Sequence, residues 1–385
     1  MDLTPSPQEA AYREKARAWL EANTPEPYTG EKSIADPGYL DYLRSWQRKL
    51  AEGGWLGITW PEEFGGQGLG PTEQSIFNEE AARATAPSVI GHVGVALIGP
   101  TIAMVGTPEQ KERYLSKLLH CEEIWAQGFS EPNAGSDLGS LACRAVRDGD
   151  EFVVNGQKTW TSYAQVSDWI FLLVRTDPDA PKYKGISCLL VDMTSPGVSV
   201  RPLRMMSGDS VFNEVFFSDV RVPVENVLGE INGGWQVGIT ALMHERMNLG
   251  GAIPVELSHL LAKVIDLARR RGLTDDPVVR QKLAQATLDL DVFKRTSARA
   301  LSAVGKGQTP GPEGSILKLF WSNYNQSLVQ TALEIAGPHG QQMAGDYQEL
   351  TYHYLRSRGN SIEAGTNEVL KNTIANRVLG LPKSY

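Results

Sequence analysis

The chain has 385 residues, of which 41% are apolar and 21% charged, a balance typical of a globular protein of two or three domains with a sizeable core. Its formal charge of −8 offers no basic surface to the phosphates of a nucleic acid, which argues against nucleic-acid binding. Because the sequence holds no apolar run of roughly 18 residues, we expect no helix that spans a membrane.

The cysteines and the N-terminus both indicate the cytoplasm. Cys121, Cys143 and Cys188 have neither the spacing of metal ligands nor the even number of a disulfide framework, which fits a reducing compartment. The N-terminal stretch mixes acidic and basic residues and lacks the apolar run of a signal peptide. We therefore expect a cytoplasmic protein without a metal site, whose cysteines are small core residues.

Residues 1–120 have the apolar spacing of helices and predict an N-terminal α-helical domain. A Gly-rich loop, WPEEFGGQGLGP, interrupts this pattern, and Thr107 is predicted as the N-cap of the last helix, with Pro108 at its first position. The predicted helices are PQEAAYREKARAWLEAN (7–23), GYLDYLRSWQRKLAEGG (38–54), PTEQSIFNEEAARATA (71–86) and TPEQKERYLSKLL (107–119).

Residues 121–232 change to short apolar alternations between Gly, Asp and Pro, which predict a central β domain, either a small barrel or a sandwich. The predicted strands lie in DEFVVNGQKTWTS (150–162), DWIFLLVRTD (168–177), GISCLLVDM (185–193), VSVRPL (198–203) and NEVFFSDVRVP (213–223).

Residues 233–385 return to the helical period, which is predicted to hold to Leu381 and to form a C-terminal bundle. The predicted helices lie within 233–251, 254–272, 276–305, 314–337 and 367–380, and GKGQTPGPEG near residue 310 is predicted as a loop.

Two polar clusters are candidates for chemistry, and no standard phosphate loop is present. GFSEPNAGSDLGS (128–140) would expose backbone donors, although its Gly, Pro, Asn and Asp are equally what a tight connection needs. In GQKTWTSYA, the end of a predicted strand carries Trp160, Thr161 and Ser162. An aromatic plane with adjacent hydroxyls suits a flat heterocyclic cofactor, whereas a tryptophan buried in a β core is the commoner case.

Six motifs stand in register along nearly the whole length of the chain. They are GWLGITWPEEFGGQGL, GTPEQKERYL, FSEPNAGSDLGSL, VNGQKTWTS, VFFSDVRVPVENVLGE and AGTNEVLKNTIANRVLGL. In sequence and in order they resemble the acyl-CoA dehydrogenase family, flavoproteins that desaturate acyl thioesters.

The resemblance implies an α+β multidomain fold, with an N-terminal α-helical domain, a central β-barrel and a C-terminal four-helix bundle. It also implies FAD as the cofactor. By position, Phe129 and Ser130 look like residues whose main chain and hydroxyl hold the flavin pyrimidine ring. Trp160 and Ser162 resemble the aromatic wall and the hydroxyl near the hydride-accepting nitrogen, and Ser136 resembles a residue on the coenzyme A side of the thioester.

Such a reaction needs a carboxylate, shielded from water, to remove the α-proton of the thioester. Many members carry this glutamate immediately before the Gly-Thr of the C-terminal motif, where the present sequence has Ala364. Glu363 stands one residue earlier, and a shift of one residue turns a side chain by about 100° on a helix. Isovaleryl- and long-chain-type members instead place the base on the first long C-terminal helix, just before an arginine, as Glu245 and Arg246 stand in ALMHERMNLGG.

We therefore predict Glu245 as the catalytic base and Arg246 as a substrate-binding residue. The flanking GITAL and NLGGAIP are apolar or small, which favours a buried face, although a solvated ion pair is the default for charges on amphipathic helices. The Ala364 backbone N–H, together with a ribityl hydroxyl of the flavin, is implied to stabilise the thioester oxygen. Glu363 is the next carboxylate to test.

The match weakens where the FAD diphosphate is expected. Members often use an Arg-x-x-Phe-Gly stretch of a neighbouring subunit, and ARRRGLTDDPVV lacks the Phe-Gly. Arg270 or Arg271 is the candidate, although basic residues at a helix C-terminus also simply favour the helix dipole. Gly337 and Gly340 remain in EIAGPHG, where a Gly-Gly pair is common. Thr366 keeps the position that faces the FAD adenosine part.

The predicted function is FAD-dependent dehydrogenation of an acyl-CoA, with electrons passed to an electron-transfer flavoprotein. The expected assembly is a homotetramer or homodimer, or a mixed tetramer in which a partner supplies part of the cofactor site. Two other readings are a flavin oxidase or monooxygenase on the same fold and a non-catalytic partner subunit. Because Met243 stands where an acid often meets the pantetheine, the coenzyme A contacts and the acyl group stay open.

Overall fold

The structure is a computed structural model that describes residues 5–247, 251–305, 311 and 314–382; the side chains of residues 245–247, 304 and 305 lie outside this description. The helices, in chain order, are α1 Pro7–Asn23, α2 Pro37–Glu52, α3 Pro71–Arg83, α4 Gly99–Val105, α5 Pro108–Leu119, α6 Gly234–Met247, α7 Ala252–Arg270, α8 Pro277–Gly305, α9 Gly314–Ala336, α10 Gln348–Ser357 and α11 Asn367–Thr373. The strands are β1 Trp125–Gly128, β2 Arg144–Asp148, β3 Glu151–Ser162, β4 Trp169–Arg175, β5 Ile186–Asp192, β6 Val198–Leu203 and β7 Phe212–Pro223.

The predicted order of helices, then strands, then helices is confirmed. The described residues form two compact units. The sheet unit comprises residues 23–70 and 86–247, and the helical unit comprises those described within 5–22, 71–85 and 251–382. Among the helices of this description, none is long and apolar enough to cross a membrane.

One curled sheet organises the sheet unit. Its strands follow the order β1-β4-β2-β3-β7-β6, and β5 pairs with β4. β1 runs parallel to β4, whereas β3 and β7 form a long antiparallel pair. β4 and β5 are almost continuously buried, and their apolar side chains form the core together with those of β3 and β7.

Capping explains where helices of the sheet unit begin. Thr107 caps α5 in a capping box with Gln110, as the sequence predicts for the cap itself. Asp36 caps α2 by accepting a hydrogen bond from the Gly38 N–H at 2.9 Å. Gln110 also donates to the carbonyls of Glu225 and Val227, both at 2.9 Å, so the start of α5 is tied to the segment after β7.

The helical unit contains a bundle in which α7, α8, α9 and α10 pack on one another, and α3 packs on α7 and α8. Its core is formed by apolar side chains of α7 to α10. The helical period was predicted to hold to Leu381, but it does not do so between residues 337 and 366, where α10 forms outside the predicted helices. Gly337, with a φ of 61°, ends α9, and short 3-10 turns and an irregular turn at 362–366 separate α9, α10 and α11.

The three cysteines are buried and free, which confirms the prediction that they are core residues. Burial raises the pKa of the Cys121 and Cys143 thiols to about 11 and that of Cys188 well above its usual value. They therefore stay protonated and unreactive at neutral pH. In the part of the chain that the structure describes, no group of histidine, cysteine and acidic side chains is arranged to hold a metal ion.

Candidate active site

The loop after β1 carries Phe129 and Ser130, and residues of β3 hold its backbone. Phe129 is buried, and its carbonyl accepts a hydrogen bond from the Lys158 ammonium, with 3.1 Å between Nζ and O. The Ser130 carbonyl accepts one from the Thr159 N–H at 2.9 Å. The structure therefore brings Phe129 and Ser130 beside the strand segment that contains Trp160.

A buried ion pair anchors the same loop. Lys158 is fully buried and Glu131 is 8% exposed, and the Lys158 Nζ lies 2.7 Å from the Glu131 Oε1. The Glu131 carboxylate also accepts the backbone N–H groups of Ala142 at 2.6 Å and Cys143 at 2.9 Å. These contacts compensate the removal of both charges from water, and they fix the loop relative to β3.

A β-bulge turns Trp160 out of the sheet. Lys158 pairs with Val215 and Thr161 with Asn213, so β3 has one residue more than β7 in this interval. Trp160 has a left-handed backbone with a φ of 60°, and its side chain is 60% exposed. A bulky residue with positive φ is rare, and so is a largely exposed tryptophan. The reading of Trp160 as a buried core residue is wrong.

Several hydrogen-bonding groups close to Trp160 in the strand and its register have no partner among the described residues. The hydroxyls of Ser130 and Ser162 donate and accept no recorded hydrogen bond within the described residues. Thr161 Oγ1 and Asn213 Oδ1 are buried and, among the same residues, also lack a partner. A flavin is a flat ring system with a hydrogen-bonding edge, so an exposed indole beside free hydroxyls and orphaned buried oxygens fits it.

Ser136 lies apart from this group. It is exposed in the loop that follows Phe129, and its neighbour Asp137 is held by Lys182 at 2.6 Å and by the Ser140 hydroxyl at 2.7 Å. No contact recorded in the described part of the chain joins Ser136 to Trp160.

The helical unit contains the turn at 363–366. Ala364 is exposed and has a φ of 52°, and Gly365 follows with a φ of 90°. Thr366 begins α11 as its N-cap, because its side-chain oxygen accepts the Val369 N–H at 3.2 Å. The N–H of Ala364 donates no hydrogen bond to any residue that the structure describes. The turn thus presents a backbone donor.

Glu363 does not extend freely from this turn. Its Oε2 lies 2.8 Å from Nη2 of Arg356, its Oε1 lies 3.3 Å from Nη1, and the Asn360 amide donates to Oε1 at 2.6 Å. The carboxylate is therefore bound by an arginine fork and an amide.

Lys318 on α9 reaches the other side of the turn. Its side chain is 3% exposed, and its ammonium donates to the Gly365 carbonyl at 2.7 Å and to the Asn367 Oδ1 at 3.3 Å. Burial lowers the pKa of Lys318, and the negative charges of Glu363 and Glu368 oppose that shift.

The residues proposed for the FAD diphosphate have local partners. Arg270 pairs with Asp266 one helical turn earlier, at 2.9 Å between Nε and Oδ2, and is about half exposed. The buried Gly340 accepts a hydrogen bond from the Thr351 hydroxyl at 3.2 Å. No contact within the described residues joins Arg270 or Gly337 to Thr366, so the structure does not assemble these candidates into one site.

Glu245 and Arg246 lie on α6, in the sheet unit, and their side chains lie outside the described residues. Met243 on the same helix is 45% exposed.

Sequence reasoning missed two buried lysines, Lys158 and Lys318, whose ammonium groups bind the backbone carbonyls of Phe129 and Gly365. Lys158 stands in the same alternating phase of β3 as the buried Phe152 and Val154, so a lysine on the inward face was a readable signal. Lys318 stands between the apolar pairs Ile316-Leu317 and Leu319-Phe320. This local pattern gave no signal for its partner, the Gly365 carbonyl, which lies 47 residues away in the sequence.

Three family descriptions match the chain in order. The acyl-CoA dehydrogenase N-terminal domain matches residues 6–122, the middle domain matches 126–220, and the C-terminal domain matches 232–379.

Known proteins match over the full length as well. Acyl-CoA dehydrogenase IpdE1 of Mycobacterium tuberculosis (strain ATCC 25618 / H37Rv) is 38% identical over 377 residues, 97% of each chain. The solved structure of the Tcur3481-Tcur3483 steroid ACAD has a TM-score of 0.87 and 34% identity, with 100% of each chain covered. The ChsE4-ChsE5 complex from Mycobacterium tuberculosis has a TM-score of 0.84 and 31% identity, again with 100% of each chain covered.

Proposed function

The chain belongs to the acyl-CoA dehydrogenase family of FAD-dependent oxidoreductases, and from this we propose that it converts an acyl-CoA thioester to the trans-2-enoyl-CoA and passes the electrons to an electron-transfer flavoprotein. The observation that supports this most directly is the exposed indole of Trp160, near the hydroxyls of Ser130 and Ser162, which have no partner among the described residues. Phe129 and Ser130 would hold the pyrimidine edge of the flavin, and Trp160 would cover its ring system.

The chemistry divides between the cofactor and the chain. Bound FAD supplies an acceptor for the hydride that leaves the β-carbon. The Glu245 carboxylate accepts the α-proton, and the Ala364 N–H donates to the thioester oxygen as that oxygen gains enolate character. Arg246 and Ser136 contact the substrate. Arg270, Gly337 and Thr366 remain the proposed FAD contacts of the helical unit.

The acyl group that we propose to test first bears fused rings. The support is the name of one relative, the Tcur3481-Tcur3483 steroid ACAD, to which the chain is similar over its whole length. A base on α6 is also compatible with branched or long acyl groups, so a straight-chain acyl-CoA is the necessary comparison.

The test is anaerobic titration of the flavin with ring-bearing and straight-chain acyl-CoAs in the wild type and in Glu245→Gln. We expect the wild-type flavin band to bleach. In Glu245→Gln the flavin should stay bound, but its reduction should slow by about 10³-fold, because a positioned general base contributes 10²–10⁴-fold.

Glu230→Gln is the matched control, since Glu230 is an exposed carboxylate of the same unit with no proposed role. It should bleach at the wild-type rate. If Glu245→Gln also bleached at that rate, the base would not be Glu245, and failure of every acyl-CoA to bleach the wild type would contradict dehydrogenation itself.

A second candidate function is that of one subunit in a mixed complex. Two solved relatives are named as two-component assemblies, Tcur3481-Tcur3483 and ChsE4-ChsE5. The stretch after Arg270 and Arg271 also lacks the Phe-Gly that members use at the FAD diphosphate. In such a complex a partner would complete the cofactor site of this chain.

A further inference from the structure

The turn at Ala364 and Gly365 has a backbone that needs outside support. Both residues lie in the left-handed region, with φ values of 52° and 90°. Glycine adopts this region readily, but an alanine does so only where its surroundings impose it. Both residues are exposed, so burial of the turn does not supply that constraint.

Glu363 constrains the turn on its N-terminal side. The Arg356 guanidinium reaches both carboxylate oxygens, at 2.8 and 3.3 Å, and the Asn360 amide adds a contact of 2.6 Å. Asn360 is buried, and its Oδ1 accepts from the Asn325 amide of α9 at 2.8 Å. The carboxylate is thus linked through Asn360 to the bundle.

Lys318 constrains the turn on its C-terminal side. Its ammonium donates to the Gly365 carbonyl at 2.7 Å, and the Ser322 hydroxyl of the same helix donates to Asn367 Oδ1 at 2.9 Å. Asn367 in turn donates to Asn323 at 3.1 Å. Among the described residues Lys318 has no acidic partner within ion-pair distance, so its charge is directed at a peptide carbonyl.

We propose that Glu363 and Lys318 are positioning residues, which hold the turn between them so that the Ala364 N–H points at the thioester oxygen of the substrate. This inference rests on the proposed function. It assigns Glu363 a different task from that of the base, because an arginine fork and an amide already occupy both of its oxygens. It also gives the buried ammonium of Lys318 a role in the site.

The experiment measures how well the holoenzyme stabilises an enolate. A 3-thiaacyl-CoA has sulfur in place of the β-carbon, so it cannot lose a hydride, and its bound α-anion gives a charge-transfer band with the flavin. The probes are 3-thiaoctanoyl-CoA and a 3-thia analogue with a ring-bearing acyl end. The pH at which the band is half formed reports the α-proton acidity, which depends on the donor at the thioester oxygen.

We expect Glu363→Ala and Lys318→Met each to raise this midpoint by about one pH unit, a tenfold loss of enolate stabilisation, and to lower kcat more than they change KM. In Glu363→Gln the enolate stabilisation and kcat should lie within about threefold of the wild-type values, because the glutamine oxygen still accepts a hydrogen bond from Arg356 or Asn360. Lys371→Met, an exposed change on α11, is the matched control and should behave as the wild type.

Two results would overturn the inference alone: an unchanged midpoint in folded Glu363→Ala, or a Glu363→Gln as inactive as Glu363→Ala, which is the behaviour of a base. Should Lys318→Met fail to fold, the two Glu363 variants still decide. The absence of a band with either probe in the wild type would overturn the proposed function, and with it this inference.

Discussion

Lys158 shows how one buried charge can organise a site. Its ammonium is removed from water and contacts only the Glu131 carboxylate and the Phe129 carbonyl among its recorded partners in the described residues. A buried pair of this kind adds little net stability, but loss of one member leaves the other charge without compensation. What the pair does provide is a fixed position for the Phe129 and Ser130 backbone.

Lys158→Met should therefore weaken both folding and cofactor binding. We expect a loss of about 3 kcal/mol in the free energy of unfolding, because the buried Glu131 carboxylate keeps its two backbone donors but loses its cation. The Phe129 carbonyl also loses its donor, so FAD should bind about tenfold more weakly. Urea unfolding of the apoprotein and titration of FAD by flavin fluorescence measure the two effects separately.

Lys182→Met is the control, since Lys182 and Asp137 form an exposed ion pair in the same unit. Its unfolding midpoint should not change, because exposed pairs contribute little. A Lys158→Met protein that unfolds as the wild type but has lost FAD would show that the pair acts on the cofactor alone. Wild-type values for both would contradict its anchoring role.

Glu80 joins two helices of the helical unit. It lies on α3 with only 2% of its surface exposed, and its carboxylate binds Arg13 of α1 at 2.7 Å and Arg17 at 2.8 Å. Burial by itself would raise the pKa of Glu80, but the hydrogen bonds and charges of Arg17 and Arg13 outweigh it and lower the pKa below the usual 4.5. The ionised form is therefore the one that stabilises the pairing.

Glu80→Gln should lower the free energy of unfolding by about 2 kcal/mol at neutral pH, because charge-assisted hydrogen bonds become neutral ones. The pKa of Glu80 is lower in the folded protein than in the unfolded chain, where it is near 4.5. Glu80 therefore contributes its full stabilisation above about pH 4.5, and this stabilisation is lost as the pH falls through the folded-state pKa. The difference between variant and wild type should thus be constant near neutrality and shrink below about pH 4.5.

Chemical unfolding across pH tests this, with Glu79→Gln as the neighbouring control. Among the described residues Glu79 pairs with Arg13 only, and it is more exposed than Glu80. Glu79→Gln should therefore lower the free energy of unfolding by less than about 1 kcal/mol. Equal effects of the two changes, or a Glu80 effect that grows in acid, would be incompatible with this account.

Elements with a strong periodic pattern were predicted well, and short or polar ones were not. α1 and β6 have the predicted bounds, and the end of β3 falls at Ser162 as predicted. The strands β1 and β2 were not predicted. β1 has only four residues and β2, RAVRD, has one buried side chain, so neither shows an alternation of apolar and polar residues. Partner strands in the sheet, at positions distant in sequence, make these segments extended.

At the scale of the whole molecule, the number of subunits and the FAD content can be predicted together. The prediction is that the protein expressed alone retains about one FAD per chain and forms a homotetramer or homodimer, since the sheet unit keeps the residues that we propose to contact the flavin ring. Flavin absorbance against protein concentration and mass determination by light scattering check this. Recovery of an apoprotein that takes up FAD only when a second family member is coexpressed would instead support the mixed complex.

The sequence by itself determined the order of the three regions, the family and the candidate residues, because periodicity and motif spacing are local properties of the chain. Only the tertiary structure decided which of those residues are exposed and which already have hydrogen-bond partners. Trp160 is exposed because a bulge against β7 turns it out, and Glu363 is engaged because Arg356 and Asn360 reach it. Contacts of this kind depend on packing between distant segments, which no local pattern encodes.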